Sequence, residues 1–168
     1  MPGSDLLSGW TNNAGFALSR TFESSRDLIA SVVNEHNGGL VRRFDYDNDP
    51  AGRRVLRKDT DISDVITNLF GYNARSELTD AIMGANSYGY RYDAIGNRTM
   101  ATNNGAATTY TANQLNQYTA ISALAPDPGY DLDGNTITNG VWTYTWDAEN
   151  RLIAAESGTN LLEFAYDH

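Results

Sequence analysis

The stretch Tyr92-Asp93-Ala94-Ile95-Gly96-Asn97-Arg98 restricts the fold of this chain more than any other. An aromatic residue ends a strand, Asp93 opens a tight turn, Gly96 closes it and Asn97 starts the return strand. Aspartate opening a type I turn, with a residue in the left-handed region three positions on, specifies a hairpin with a G1 bulge. Glycine enters that region freely and asparagine at small cost.

The same pattern recurs along the chain. Tyr130-Asp131-Leu132-Asp133-Gly134-Asn135 repeats it almost unchanged, and Trp146-Asp147-Ala148-Glu149-Asn150-Arg151 places Asn150 where glycine stood. Asn48-Asp49-Pro50-Ala51-Gly52-Arg53 lacks the aromatic but sets proline at the turn position that suits its fixed φ. Tyr72-Asn73-Ala74-Arg75-Ser76, Tyr110-Thr111-Ala112-Asn113-Gln114 and Phe22-Glu23-Ser24-Ser25-Arg26 are weaker copies, and Tyr166-Asp167-His168 opens another. Taking positions 23, 49, 73, 93, 111, 131, 147 and 167 as openers gives steps of 26, 24, 20, 18, 20, 16 and 20 residues. A strand, a turn, a second strand and a return turn need about twenty residues. Return signals lie between the copies at Asn37-Gly38-Gly39, Gly84-Ala85-Asn86, Asn103-Asn104-Gly105, Asn139-Gly140 and Ser157-Gly158-Thr159-Asn160. Two returns, Asp59 to Asp64 and Ala125 to Gly129, are less regular. Repetition at this period specifies an array.

These motifs resemble the tyrosine-aspartate (YD) repeats of bacterial RHS proteins, relatives of teneurins and of toxin-complex shells. The residues that carry the resemblance are Tyr92, Asp93, Gly96, Asn97 and Arg98; Tyr130, Asp131, Gly134 and Asn135; Trp146 to Leu152; and Leu115-Asn116-Gln117-Tyr118-Thr119. It covers roughly residues 5–168. The resemblance implies a ribbon of β-sheet spiralling into a hollow shell that encloses or presents a C-terminal toxin, secreted or at the cell surface. The implied partners are the rest of the same polypeptide and its toxin cargo.

Composition agrees with strands and turns. Ten Tyr, three Trp and five Phe make 11% aromatic content, and no cysteine is present for disulfides or thiolate-bound metals. A net charge of −9 excludes general nucleic-acid binding, which needs a basic surface. No apolar run approaches the roughly 18 residues of a membrane helix, so no membrane insertion is expected. Met1-Pro2-Gly3-Ser4-Asp5 lacks the features of a secretory signal. With Ser4 to Trp10 already resembling repeat sequence and the last residues opening a copy, residues 1–168 are expected to be one hairpin array, a fragment of a larger protein truncated inside a repeat.

In chain order, residues 1–21 hold a strand pair turning at Asn12-Asn13-Ala14-Gly15. Leu40 to Tyr46 and Arg53 to Lys58 flank the Asp49 turn and carry Arg42, Arg43, Arg53, Arg54, Arg57 and Lys58. This is either an anion-binding patch or a set of cross-strand pairs with Asp45, Asp47, Asp59 and Asp61 on a solvated face. Ile62, Val65, Ile66 and Leu69 have helical spacing, but the surrounding repeats demand a strand, and a strand is expected. Tyr88, Tyr90 and Tyr92, and likewise Trp142, Tyr144 and Trp146, fall on one face of their strands. They are expected to pack against neighbouring strands; the alternative is a carbohydrate-binding or adhesion surface, with Trp142 and Trp146 as glycan contacts.

The structural site residues are therefore Asp49, Gly52, Tyr72, Tyr92, Asp93, Gly96, Asn97, Tyr110, Tyr130, Asp131, Gly134, Asn135, Trp146, Asp147 and Asn150. Asp131-Leu132-Asp133-Gly134 imitates part of a calcium loop, but Gly129 and Gly140 stand where its first and last ligands belong. The two histidines, His36 and His168, lack a nucleophile at motif spacing, and no phosphate loop or zinc motif is present. The expectation is an all-β antiparallel meander of 13 to 16 strands, curved as a piece of a spiral β-shell, without catalysis or cofactor. Because open sheets beyond about ten strands curl or split, one flat ribbon is not expected.

Overall fold

The computed structural model describes residues 6–167, and the readings placed on residues 1–5 and on His168 lie outside that range. Every regular element is a strand. In chain order these are β1 (Gly9–Thr11), β2 (Phe16–Phe22), β3 (Ile29–His36), β4 (Gly39–Asn48), β5 (Arg54–Thr60), β6 (Val65–Tyr72), β7 (Leu78–Met83) and β8 (Asn86–Tyr92). The series continues with β9 (Arg98–Asn103), β10 (Ala106–Ala112), β11 (Tyr118–Ile121), β12 (Gly129–Tyr130), β13 (Thr136–Asn139), β14 (Trp142–Trp146), β15 (Leu152–Ser157) and β16 (Asn160–Glu163). Strands β1 to β11 follow one another in one sheet and β12 to β16 in a second, so each strand is bonded to its neighbours in sequence. This is the topology that short turns at a regular spacing enforce, since a hairpin connection reverses the chain onto its own neighbour.

The competition at Ile62 resolves as a strand. Val65 to Tyr72 form β6, and Ile62 is left 92% exposed in the preceding turn. That turn is built by Asp61, whose Oδ1 accepts from the backbone N–H groups of Ser63 and Asp64 and from the Ser63 hydroxyl. The interruption between β11 and β12 also has a local cause. Pro126 and Pro128 have no N–H to offer a ladder. Asp127 Oδ1 accepts instead from the Ile121 N–H, Pro126 O accepts from the Gly140 N–H, and the link from Ser122 to Pro128 is held by these contacts.

The chain divides into two compact units. The first runs to Gly89 and includes Asn103–Gly105; the second comprises Tyr90–Thr102 and the residues from Ala106 on. Among the described residues no large side chain is fully buried, and the most buried residues are Ser31, Asp59, Asn68, Ala81 and Ala155. Packing is therefore lateral, between side chains of adjacent strands on one face. In the first unit, Phe44, Arg57, Asp59, Asn68, Phe70 and Ala81 share the more buried face. The opposite face exposes Arg43, Asp47, Lys58, Thr67, Leu69 and Ile82.

Candidate functional site: the ladder of turns

Among the described residues, six turns share a single geometry. In the Asp93 turn, the Asp93 N–H donates to Asn97 O at 2.9 Å and the Gly96 N–H donates to Asp93 O at 3.4 Å. The carboxylate completes the turn from inside: Oδ1 accepts from the N–H groups of Ile95 (3.0 Å) and Asn97 (2.9 Å), and Oδ2 accepts from Asn97 Nδ2 (3.0 Å). Asp131 repeats this with Asp133 and Asn135, and Asp147 with Glu149 and Arg151. Asp49 holds the Arg53 N–H and guanidinium. Asn73 and Asn113 do the same with a neutral amide oxygen, accepting from the N–H groups of Arg75 and Glu77 and of Leu115 and Gln117.

Three residues after each opener the backbone enters the left-handed region: Gly52 at φ 82°, Ser76 at 65°, Gly96 at 96°, Asn116 at 62°, Gly134 at 88° and Asn150 at 58°. A register shift precedes the turn wherever the pairing is defined, at Asp47/Asn48, Gly71/Tyr72, Thr111/Ala112, Gly129/Tyr130 and Thr145/Trp146. That is the G1-bulge hairpin expected from the sequence.

Two turns depart from expectation. In the fifth copy the opener is Asn113, not Thr111, because Ala112 occupies the position that carries the aromatic elsewhere. The openers from 49 onward are thus 49, 73, 93, 113, 131 and 147. The Glu23 turn is one residue longer, closing from the Glu23 N–H to Leu28 O, and Glu23 holds Arg26 and Asn48 with its carboxylate.

Four of the aromatics that stand before an opener reach back to the preceding hairpin. Tyr72 Oη donates to Arg54 O (2.9 Å), Tyr130 Oη to Tyr118 O (3.2 Å), Trp146 Nε1 to Thr136 O (2.8 Å) and Tyr166 Oη to Leu152 O (2.9 Å). Each acceptor lies five residues after the previous opener. In the Asn113 copy, where Ala112 stands before the opener, Tyr118 makes the link, its hydroxyl accepting from the Arg98 N–H at 2.9 Å. An arginine at the fourth or fifth position after an opener then lies over the next tyrosine: Arg53 over Tyr72 (5.1 Å), Arg98 over Tyr110 (4.5 Å) and Arg151 over Tyr166 (5.4 Å). Each such stack contributes roughly 0.5–1 kcal/mol at an exposed site. Sequence reasoning assigned the aromatics to packing and missed their polar ends, although the conserved offset between tyrosine and opener within this one chain carries that signal.

The basic cluster is largely neutralised. Arg43 pairs with Asp45 and Arg57 with Asp59 along their own strands, Arg53 pairs with Asp49, and Arg42 lies 3.9 Å from both Asp59 and Asp61. Arg54 lies over Tyr46 at 3.6 Å. Cross-strand pairing thus applies to Arg42 alone among these ion pairs. Asp59 is buried rather than solvated, 7% exposed, because it faces the row of Phe44, Asn68 and Phe70.

The remaining candidates fall into the same scheme. The oxygens of Asp131 are occupied by its own turn, and among the described residues no group of three His, Asp or Glu is placed to hold a metal. Trp142, Tyr144 and Trp146 are each partly buried on one face of β14, and Tyr88, Tyr90 and Tyr92 on one face of β8. His36 stacks on Phe16 at 4.5 Å between centroids.

The turn carboxylates are held in their ionised form. Asp93 and Asp131 are pulled below the usual aspartate range first by the side-chain amides of Asn97 and Asn135; Asp49 is lowered first by the Arg53 side chain and Asp147 by the Arg151 backbone N–H. A carboxylate whose folded pKa is lowered contributes stability above its unfolded value, about 3.9, and loses it as pH falls through the folded pKa. Acid will therefore loosen the turns at Asp49, Asp93, Asp131 and Asp147 below about pH 4, while the turn at Asn113, whose side-chain partner is the neutral Gln117, keeps its bonds. Amide chemical shifts followed from pH 7 to pH 2 test this: acid sensitivity of the Asn113 turn equal to that of the four aspartate turns would contradict it.

A fold of consecutive hairpins joined by one repeated turn and a recurring aromatic tie is that of a structural repeat protein. The chain belongs to the teneurin YD-shell family, whose model matches residues 41–168. Two curated relatives, "tRNA nuclease WapA" of Bacillus subtilis and "tRNA3(Ser)-specific nuclease WapA" of Bacillus spizizenii, are each 41% identical over 69 residues. That alignment covers 39% of this chain and 3% of either relative. Among solved structures, a Photorhabdus luminescens Tc holotoxin pore superposes with a TM-score of 0.71 at 15% identity, over 84% of this chain and 9% of that one. The chain thus spans a small fraction of the proteins it matches, and the shared property is the fold of a shell segment.

Proposed function

We propose that this chain is part of the wall of a large bacterial RHS-type protein, secreted or displayed at the cell surface, which encloses or presents a toxic effector domain. On this reading it catalyses nothing, and its partners are the neighbouring repeats of its own polypeptide and the effector. The observation that carries the reading is the tie between successive hairpins, in which Tyr72, Tyr130, Trp146 and Tyr166 are each bonded to the backbone of the hairpin before them. Such ties make each hairpin they join both a support and a load for the next. That the relatives are nucleases and a holotoxin supports a toxin as the cargo.

Limited proteolysis of the parent polypeptide tests it. The effector domain is expected to resist protease while the wall is intact and to become cleavable when Tyr130 and Trp146 are both replaced by alanine. Equal cleavage of the effector domain in both proteins would overturn the reading.

A further inference from the structure

The residue in the left-handed region alternates along the ladder: Gly52, Ser76, Gly96, Asn116, Gly134, Asn150. A non-glycine residue is strained there, so three polar side chains at every second turn require a compensating contact. Each of them has one, and it is the same one. Arg53, Asn97 and Asn135 all stand four residues after the opener of a glycine turn, and each binds its own opener's carboxylate. Each also reaches the left-handed side chain of the following turn. Arg53 Nη1 donates to Ser76 Oγ at 3.3 Å and to Asn73 O at 2.9 Å, Asn97 Nδ2 to Asn116 Oδ1 at 3.2 Å, and Asn135 Nδ2 to Asn150 Oδ1 at 2.8 Å.

From this we infer that the wall is assembled in pairs of hairpins, and that the left-handed Ser or Asn is the docking residue that couples the second hairpin of each pair to the first. The pairs are the turns opened at 49 and 73, at 93 and 113, and at 131 and 147. Between pairs the receiving position is Gly96 or Gly134, which has no side chain to accept such a bond.

Two features of the fold agree with these divisions. The chain passes from the first compact unit to the second at Gly89/Tyr90, between the turns at 73 and 93, although the return turn Asn103–Gly105 inside the second pair also belongs to the first unit. The break between the two sheets, after β11, falls between the turns at 113 and 131. The inference goes beyond the encapsulation reading and does not depend on it. It states what the left-handed Ser or Asn adds within each pair: a bond that a glycine turn cannot receive.

Native-state hydrogen exchange on the chain with Asn150→Gly tests it, because the two accounts of Asn150 predict opposite signs. If Asn150 were only a turn residue, glycine would relieve its strain and exchange would slow or stay unchanged. If Asn150 docks the hairpin, exchange in β14 and β15 will quicken, by about fivefold for the loss of one hydrogen bond. The same substitution in an Asn135→Ala background is then expected to give no further quickening, since the donor is already gone. Asn116→Gly, alone and with Asn97→Ala, repeats the test in the second pair. Unchanged or slower exchange in the single variants, or equal quickening in both backgrounds, overturns the inference.

Discussion

Trp146→Ala is expected to destabilise the second unit by about 2–3 kcal/mol, seen as a urea midpoint lowered by roughly 1 M or more. Truncating a fully buried tryptophan costs about 3–5 kcal/mol, and this ring is only partly covered on its face of β14, which brings the figure down. Part of the loss is polar. The indole N–H bonded to Thr136 O at 2.8 Å ties β14, the first strand of the hairpin that turns at Asp147, to β13, the last strand of the hairpin that turns at Asp131. Trp146→Phe isolates that part, since it keeps most of the apolar ring and removes the donor. Its expected cost is about 1 kcal/mol, the net value of one hydrogen bond. If the phenylalanine variant proved as unstable as the alanine one, the ring would be contributing nothing and the tie everything. If it matched the parent, the tie would be no more than a contact.

Gly134→Val is the second large effect, at about 2–3 kcal/mol, and it acts through the backbone. Gly134 sits at φ 88°, where an L-residue costs roughly 1–2 kcal/mol and a β-branched one more. A Cβ there would also lie 3.4 Å from Gln117 Nε2. Gly134→Asn should cost far less, because Asn116 and Asn150 already occupy the equivalent position at φ 62° and 58°. The order Asn, Ala, Val in increasing cost, read from urea midpoints, distinguishes a backbone requirement from a packing one. A packing site would rank the three by size and polarity.

Most of this ladder was legible from single turns. Asp93, Asp131 and Asp147 announce themselves because one carboxylate must satisfy two backbone N–H groups, and only glycine or asparagine can follow three residues later. The misplaced opener at Thr111 shows the limit of that logic. There the aromatic stands two residues early, at Tyr110, whose ring is tilted against Tyr118 at 5.3 Å, and the turn begins after Ala112. A pattern anchored on the aromatic follows the ring, whereas the backbone follows the residue whose side chain can accept.

What the sequence hid is mainly what passes between repeats. The aromatic tie spans 10 to 18 residues and the arginine stacks 12 to 19, separations at which no local pattern operates. The alternation of Gly with Ser or Asn becomes visible only after all six turns are aligned on the correct openers. The charged cluster was misread for a related reason. Residues two apart on a strand share a face, and the arginine side chain is long enough to reach along it, so Arg43 and Arg57 take partners on their own strands.

The absence of cysteine makes the central claim, that consecutive hairpins stand in the stated register, directly testable by paired cysteine substitution. Lys58 is opposite Thr67 and Thr143 is opposite Glu156, all four exposed, whereas Asn68 and Ala155 are buried on the other face. Under mild oxidation, Lys58→Cys with Thr67→Cys and Thr143→Cys with Glu156→Cys are expected to cross-link, because facing residues fall within disulfide reach. Lys58→Cys with Asn68→Cys and Thr143→Cys with Ala155→Cys are expected to remain reduced. Cross-linking of the shifted pairs in preference to the facing ones would contradict the register, since a slip of one residue turns every side chain to the opposite face.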